Sequence, residues 1–303
     1  MRVLPDLVGE PSGVGVPGCV GVVGGGRMGV GIAHAFLLAG SSVTILERDA
    51  VSADQSRRAL DVAVKASIAR STTTRTFAEL SSASVVTVSL QDLAGSGLVV
   101  EAVPEDLALK SETLSRVEAQ LAPDTWIASN TSSLSINSLA ESLERPAQLL
   151  GLHFFNPVPS SSLVEIVLGA RTAASASDVA RCWVSAIGKT PIVVRDSPGF
   201  ASSRLGVAIG LEAIRMLEEG VASAEDIDIA MVLGYKFPVG PLRLTDLVGL
   251  DVRLGIAEYL HKTLGDRFRP PALLREKVAA GQLGRKTGQG FFPWPETARK
   301  ETP

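Results

Sequence analysis

From Cys19 to about Val194 the chain alternates short β-branched runs with longer stretches whose apolar residues recur at helical spacing. The runs Cys19–Val23, Val43–Leu46, Val85–Val88, Leu98–Glu101, Trp126–Ser129, Leu149–His153, Leu163–Val167 and Ile192–Val194 predict strands. Between them, Met28–Ala39, Gln55–Ala69, Asp106–Leu121 and Asp178–Ile187 predict helices. Alternation of this kind predicts an α/β fold, with a mostly parallel sheet covered by helices on both faces.

After Ser197-Pro198-Gly199 only helical patterns remain: Ala201–Glu219, Glu225–Leu233, Asp251–Leu264 and Ala272–Ala280. Several stop at a glycine (Gly220, Gly234, Gly265, Gly281), and Ser223 with Asp226 resembles a capping box that uses Asp in place of Glu. The expected organisation is a leader at 1–18, an α/β domain at 19–196 and an all-helical domain at 197–303. The opening run MRVLPDLVGEPSGVGVPG is broken by Pro5, Pro11 and Pro17, so it reads as a flexible leader and not as a targeting segment.

Composition narrows the function classes. At 303 residues, 46% hydrophobic and 20% charged, the chain can bury two ordinary cores. A net charge of -3 gives no electrostatic case for binding nucleic acid. No apolar run is long enough to cross a bilayer. Cys19 and Cys182 have no metal or redox spacing and read as two reduced, buried thiols of a cytoplasmic protein. No metal site is expected.

Strand Cys19–Val23 runs straight into Gly24-Gly25-Gly26-Arg27-Met28-Gly29, a G-x-G-x-x-G turn that opens a helix. Gly24 permits the tight turn, Gly26 lets a pyrophosphate approach the backbone, and Gly29 lets helix and strand pack closely. The helix N-terminus, with Arg27 and Met28, then faces the phosphates. The second strand ends at Glu47, roughly 20 residues on, where a carboxylate accepts hydrogen bonds from ribose hydroxyls and repels a 2′-phosphate. This predicts a Rossmann-type domain binding NAD. NADP is disfavoured but kept open by the neighbouring Arg48, a potential phosphate partner.

Three histidines are present. His34 lies inside the first helix and His261 near the end of a polar one; both read as structural. His153 ends a strand, in Leu152-His153-Phe154-Phe155-Asn156-Pro157, among apolar neighbours. Ser129-Asn130-Thr131-Ser132-Ser133 follows another strand, so its hydroxyls collect at the carboxyl edge of the sheet, where open α/β folds bind ligands. Leu163-Val164-Glu165-Ile166-Val167 places one acid among apolar strand residues, where it needs a partner if buried. Pairing with His153 would satisfy it and fix the imidazole tautomer.

Together, Val20–Glu47, Ser129–Leu134, Gly151–Pro159, Asp196–Phe200 and Gly284–Phe292 resemble the 3-hydroxyacyl-CoA dehydrogenases, and the bacterial 3-hydroxybutyryl-CoA enzymes are nearest in length. The similarity spans residues 19 to 293, with SNTSSL and GLHFFNPVP the most specific runs. The resemblance implies NAD-dependent interconversion of 3-hydroxyacyl-CoA and 3-oxoacyl-CoA in fatty-acid metabolism, a CoA thioester as substrate, and a homodimer built by the helical domain. It also implies His153 as general acid/base, Glu165 as its orienting carboxylate, and Ser132 as donor to the substrate's C3 oxygen. Glu105, Lys110, Asn156 and Lys286 match cofactor contacts, and Arg70 matches a basic residue for the CoA phosphates. Taken bare, Lys110, Arg70 and Lys286 read as solvated surface charges.

One departure stands out. After Pro198-Gly199-Phe200 the family carries asparagine where this chain has Ser203; a hydroxyl donates one bond but lacks the amide carbonyl. That questions the substrate more than the reaction. Two further readings remain open: a related dehydrogenase of free hydroxy acids of the gulonate or carnitine type, and a non-catalytic NAD-binding relative. A third is an enzyme acting on a carrier-bound acyl group.

Overall fold

A computed structural model describes residues 15–295. The leader expected at 1–18 therefore lies mostly outside the described residues. The chain divides between Asp196 and Ser197 into two compact units.

The first unit holds eight strands: β1 (Cys19–Val23), β2 (Ser42–Leu46), β3 (Ser84–Thr87), β4 (Leu98–Glu101), β5 (Trp126–Ser129), β6 (Leu149–Phe154), β7 (Leu163–Leu168) and β8 (Thr190–Arg195). They form one sheet in the order β3-β2-β1-β4-β5-β6-β7-β8. Every neighbouring pair is parallel except β6 with β7, which is antiparallel. Central strands such as β4 and β6 are buried along their whole length, as strands covered on both faces must be. The helices are α1 (Arg27–Leu38), α2 (Ala50–Ala69), α3 (Phe77–Ser82), α4 (Leu107–Glu118), α5 (Ile136–Ala140) and α6 (Ala176–Ala186).

Strand order reverses between β1 and β4, the place where open α/β sheets leave a crevice at the carboxyl ends of their strands. Helix α2 starts at Ala50, five residues before the periodicity shows it, because Asp49 caps it by accepting a bond from the Ser52 amide at 2.7 Å. Helices α3 and α5 were not apparent from periodicity; α3 is held by a capping box between Thr76 and Glu79. Cys182 is buried, but Cys19 is exposed, contrary to expectation, because it is the first residue of β1.

The second unit is helical: α7 (Ser202–Glu218), α8 (Ala224–Ile229), α9 (Pro241–Val248), α10 (Leu250–Leu264) and α11 (Ala272–Ala279). The stretch expected as one helix at Glu225–Leu233 is α8 followed by a π-turn over Ala230–Gly234. Ser223 caps α8 through the Asp226 amide at 3.1 Å, while the Asp226 carboxylate takes the Ser223 hydroxyl at 2.9 Å, so only half of the expected box forms. Its core includes Val207, Leu211, Ile214, Leu242, Leu250, Leu260 and Phe292. Buried Asp246 ties the chain's last described turn to α9, accepting bonds from the Phe291 and Phe292 amides and the Trp294 indole at 2.8–2.9 Å. No helix among the described residues is long and apolar enough to cross a membrane.

Candidate functional site

At the carboxyl end of β1 the turn has the backbone a dinucleotide cradle needs. Gly24 has φ +90°, a region closed to most side chains, and a Cβ on Gly29 would stand 1.8 Å from the Gly24 carbonyl oxygen. A Cβ on Gly26 would meet nothing within 4 Å, so that backbone lies open to a ligand. The turn borders a cleft of about 690 Å³, also lined by Arg27, Met28, Glu47, Arg48 and Pro104, within the usual range of a small-molecule site. These residues fit a dinucleotide.

Glu47 sits at the cleft, with Oε1 accepting from the Gly25 amide at 2.8 Å and from the Ser56 hydroxyl at 2.7 Å. Ser56, on α2, is a site residue that sequence reasoning missed; no local signal marks it. Arg48 is exposed and leans on Asp49 at 3.0 Å.

The second half of the site lies at the ends of β4, β5 and β6. His153 and Glu165 are directly opposed in the antiparallel β6–β7 register, which puts both side chains on one face. His153 Nδ1 and Glu165 Oε2 are 2.6 Å apart, both buried. In the neutral imidazole, Nδ1–H donated to the carboxylate leaves the lone pair on Nε2. The Phe155 ring lies 4.5 Å from the imidazole, centroid to centroid. Asn130 is a strut, its Oδ1 accepting from the Phe154 amide at 3.0 Å and tying the β5 loop to the end of β6.

Glu105 organises the serine-rich loop. Its Oε1 accepts from the Thr131 hydroxyl at 2.6 Å and the Ser132 and Ser133 amides at 2.8 and 2.9 Å. The half-buried Ser132 hydroxyl makes no hydrogen bond among the described residues. Burial pushes the Glu105 carboxyl up, but the Lys110 ammonium and the Thr131, Ser132 and Ser133 donors outweigh it and hold it below the ordinary value.

Lys110 is not the solvated charge its bare sequence context suggests: it is 1% exposed. Its ammonium is spent on Glu101 Oε1 at 2.7 Å, the Val103 carbonyl at 3.0 Å and Glu105 Oε2 at 3.4 Å. Glu101, which sequence reasoning missed, also takes the Ser129 hydroxyl at 2.6 Å. The available signal was a second acid ending a central strand, as Glu47 does. Asn156 and Arg70 are exposed.

In the second unit, Ser203 lies half-buried in the first turn of α7. Lys286 pairs with Asp251 at 2.6 Å and remains about half exposed. Among the described residues no group of three His, Cys, Asp or Glu side chains could hold a metal ion.

A cradle for a hydride carrier and an imidazole able to move a proton, both at carboxyl ends of strands in one sheet, make this a nicotinamide-dependent dehydrogenase. The family model of the 3-hydroxyacyl-CoA dehydrogenase NAD-binding domain matches residues 19–197, and that of the C-terminal domain matches 199–294. The chain belongs to the 3-hydroxyacyl-CoA dehydrogenase family, NAD-dependent oxidoreductases of 3-hydroxyacyl-CoA thioesters. It is 41% identical over 282 residues to a 3-hydroxybutyryl-CoA dehydrogenase of Mycobacterium tuberculosis, covering 91% of this chain and 98% of that one. A 3-hydroxybutyryl-CoA dehydrogenase of Bradyrhizobium diazoefficiens is 39% identical over 281 residues, covering 91% and 94%. The crystal structure of (S)-3-hydroxybutyryl-CoA dehydrogenase PaaH1 from Ralstonia eutropha superimposes with a TM-score of 0.87 at 36% identity, over 92% of this chain and all of that one.

Proposed function

We propose that the protein interconverts a short-chain 3-hydroxyacyl-CoA and its 3-oxoacyl-CoA, with His153 as the acid/base. The buried 2.6 Å contact between His153 Nδ1 and Glu165 Oε2 carries this reading. When bound, the nicotinamide supplies hydride transfer to and from C3. In oxidation, His153 Nε2 accepts the proton of the C3 hydroxyl, and Glu165 stabilises the imidazolium that forms. Such a group contributes about 10²–10⁴-fold in rate. Ser132 donates to the C3 oxygen; Glu105 keeps that serine in place by fixing its backbone amide. Ser203 supplies a second hydroxyl to the oxygen.

Gly24, Gly26, Arg27, Met28 and Gly29 cradle the pyrophosphate, and Glu47 receives the adenosine ribose. Glu47 supports NAD over NADP, since its carboxylate repels a 2′-phosphate. Glu105, Asn156 and Lys286 complete the cofactor's surroundings, with Lys110 acting through Glu105. Arg70, exposed at the end of α2, would meet the CoA phosphates.

A homodimer is supported by exposed apolar side chains on the helical unit, Leu205, Leu233 and Tyr235 among them. Two free thiols go with a cytoplasmic location.

The test follows the reduced-nicotinamide absorbance with acetoacetyl-CoA, with NADH and NADPH in parallel and free acetoacetate as control. Consumption of NADH with the thioester supports the reading. NADH binding without turnover of any thioester would leave a nucleotide-binding relative in its place.

A further inference from the structure

Helix α2 carries a hydroxyl at a core position beside the glycine turn. Its buried residues are Ala53, Ser56, Leu60, Val64 and Ser67, spaced three or four apart along one face. Ser56 is 3% exposed, and a buried hydroxyl is costly unless it is hydrogen-bonded. Its Oγ lies 2.7 Å from Glu47 Oε1 and 2.9 Å from the Gly25 carbonyl oxygen. A hydroxyl has one proton to donate, and the carboxylate, as the charged acceptor, takes the larger share of it.

Ser56 also accounts for the middle glycine of the turn. In G-x-G-x-x-G the second position is open to other residues, and the backbone at Gly25 does not have the positive φ of Gly24. Space is what excludes a side chain there. A Cβ on Gly25 would stand 2.2 Å from Ser56 Oγ, 2.6 Å from Ser56 Cβ and 2.8 Å from Glu47 Oε1. Gly25, Glu47 and Ser56 interlock.

The two oxygens of Glu47 are not equivalent. Oε1 accepts from the Gly25 amide at 2.8 Å and from the Ser56 hydroxyl, which uses both of its lone pairs. Among the described residues Oε2 has only the Arg48 amide, at 3.3 Å, and Glu47 borders the cleft.

We propose that Ser56 is a positioning residue for cofactor choice, a role that rests on the proposed reading of Glu47 as the ribose acceptor. It turns Oε1 toward the glycine turn and so presents Oε2 to the ribose hydroxyls of NAD. Without the Ser56 donor, Oε1 keeps one bond, and the half-buried carboxylate is free to rotate toward the exposed Arg48. Selection against a 2′-phosphate then relaxes although the acid is still present.

Kd values for NADH and NADPH are measured by nicotinamide fluorescence in the wild type, Ser56→Ala, Glu47→Ala and the double variant. Alanine suits a buried helix face, so Ser56→Ala is expected to fold. It should lower the preference for NADH over NADPH by about 3- to 10-fold, the worth of one hydrogen bond. Ser56→Cys, of similar shape with a weak S–H donor, should fall between the two. In the Glu47→Ala background Ser56→Ala should leave the preference where it is, since the carboxylate through which Ser56 acts is gone. A purely structural Ser56 would weaken both nucleotides alike, and that result overturns the proposal. So does a preference that Glu47→Ala shifts but Ser56→Ala does not, or a Ser56→Ala shift that persists without Glu47. If Glu47→Ala itself leaves the preference unchanged, the ribose role of Glu47 falls and Ser56 has nothing to position.

Discussion

Lys110 Nζ lies 2.7 Å from Glu101 Oε1, and each side chain is only 1% exposed. This ion pair sits beneath the serine-rich loop after β5, since Glu101 also holds Ser129 and Lys110 faces Glu105. Breaking such a pair from one side leaves a buried charge unmatched. Lys110→Met should cost about 3–5 kcal/mol of stability, measured by urea unfolding. The double variant Lys110→Met/Glu101→Gln should recover a large part of that loss. Equal destabilisation by the single and double variants would show that Lys110 acts mainly through packing.

Glu105 makes loop order depend on acid. Its folded carboxyl titrates below the ordinary value near 4.5. A depressed acid contributes stability that is present above its unfolded pKa and lost as pH falls through the folded one. The stability gap between wild type and Glu105→Gln should therefore be full at neutral pH and shrink as pH drops below about 4.5. Denaturant midpoints taken from pH 7 to pH 3 test this. A gap constant across that range would contradict the assignment.

Glu47 sets cofactor choice in this account. Glu47→Ala should weaken NADH relative to NADPH by about 10- to 100-fold, the range of hydrogen bonds to a charged group. Arg48, exposed and among the described residues paired only with Asp49, would then be able to turn to a 2′-phosphate. The ratio of the two Kd values reads the effect, and an unchanged ratio would remove Glu47 from cofactor selection.

The strands were legible because β-branched runs between helical stretches have sharp edges. β1, β4 and β5 have the bounds their sequences predict, and the others differ by one or two residues at an end. Helices α3, α5 and α9 were not, because five to eight residues hold too few turns to display a period. An acid among apolar residues marked Glu165 as needing a partner. The buried states of Lys110 and Arg253 were not legible: a lone basic residue in a helix usually faces water, and only tertiary neighbours reveal otherwise. Ser56 reaches Glu47 from another helix, a contact no local spacing encodes.

The central claim is tested most directly by combining single-turnover kinetics on His153→Ala and Glu165→Gln with a separate measurement of NADH affinity. The account predicts that His153→Ala loses about 10²–10⁴-fold in the chemical step with acetoacetyl-CoA, that Glu165→Gln also falls well below wild type, and that both bind NADH as before. A His153→Ala enzyme that reduced the thioester at the wild-type rate would contradict it.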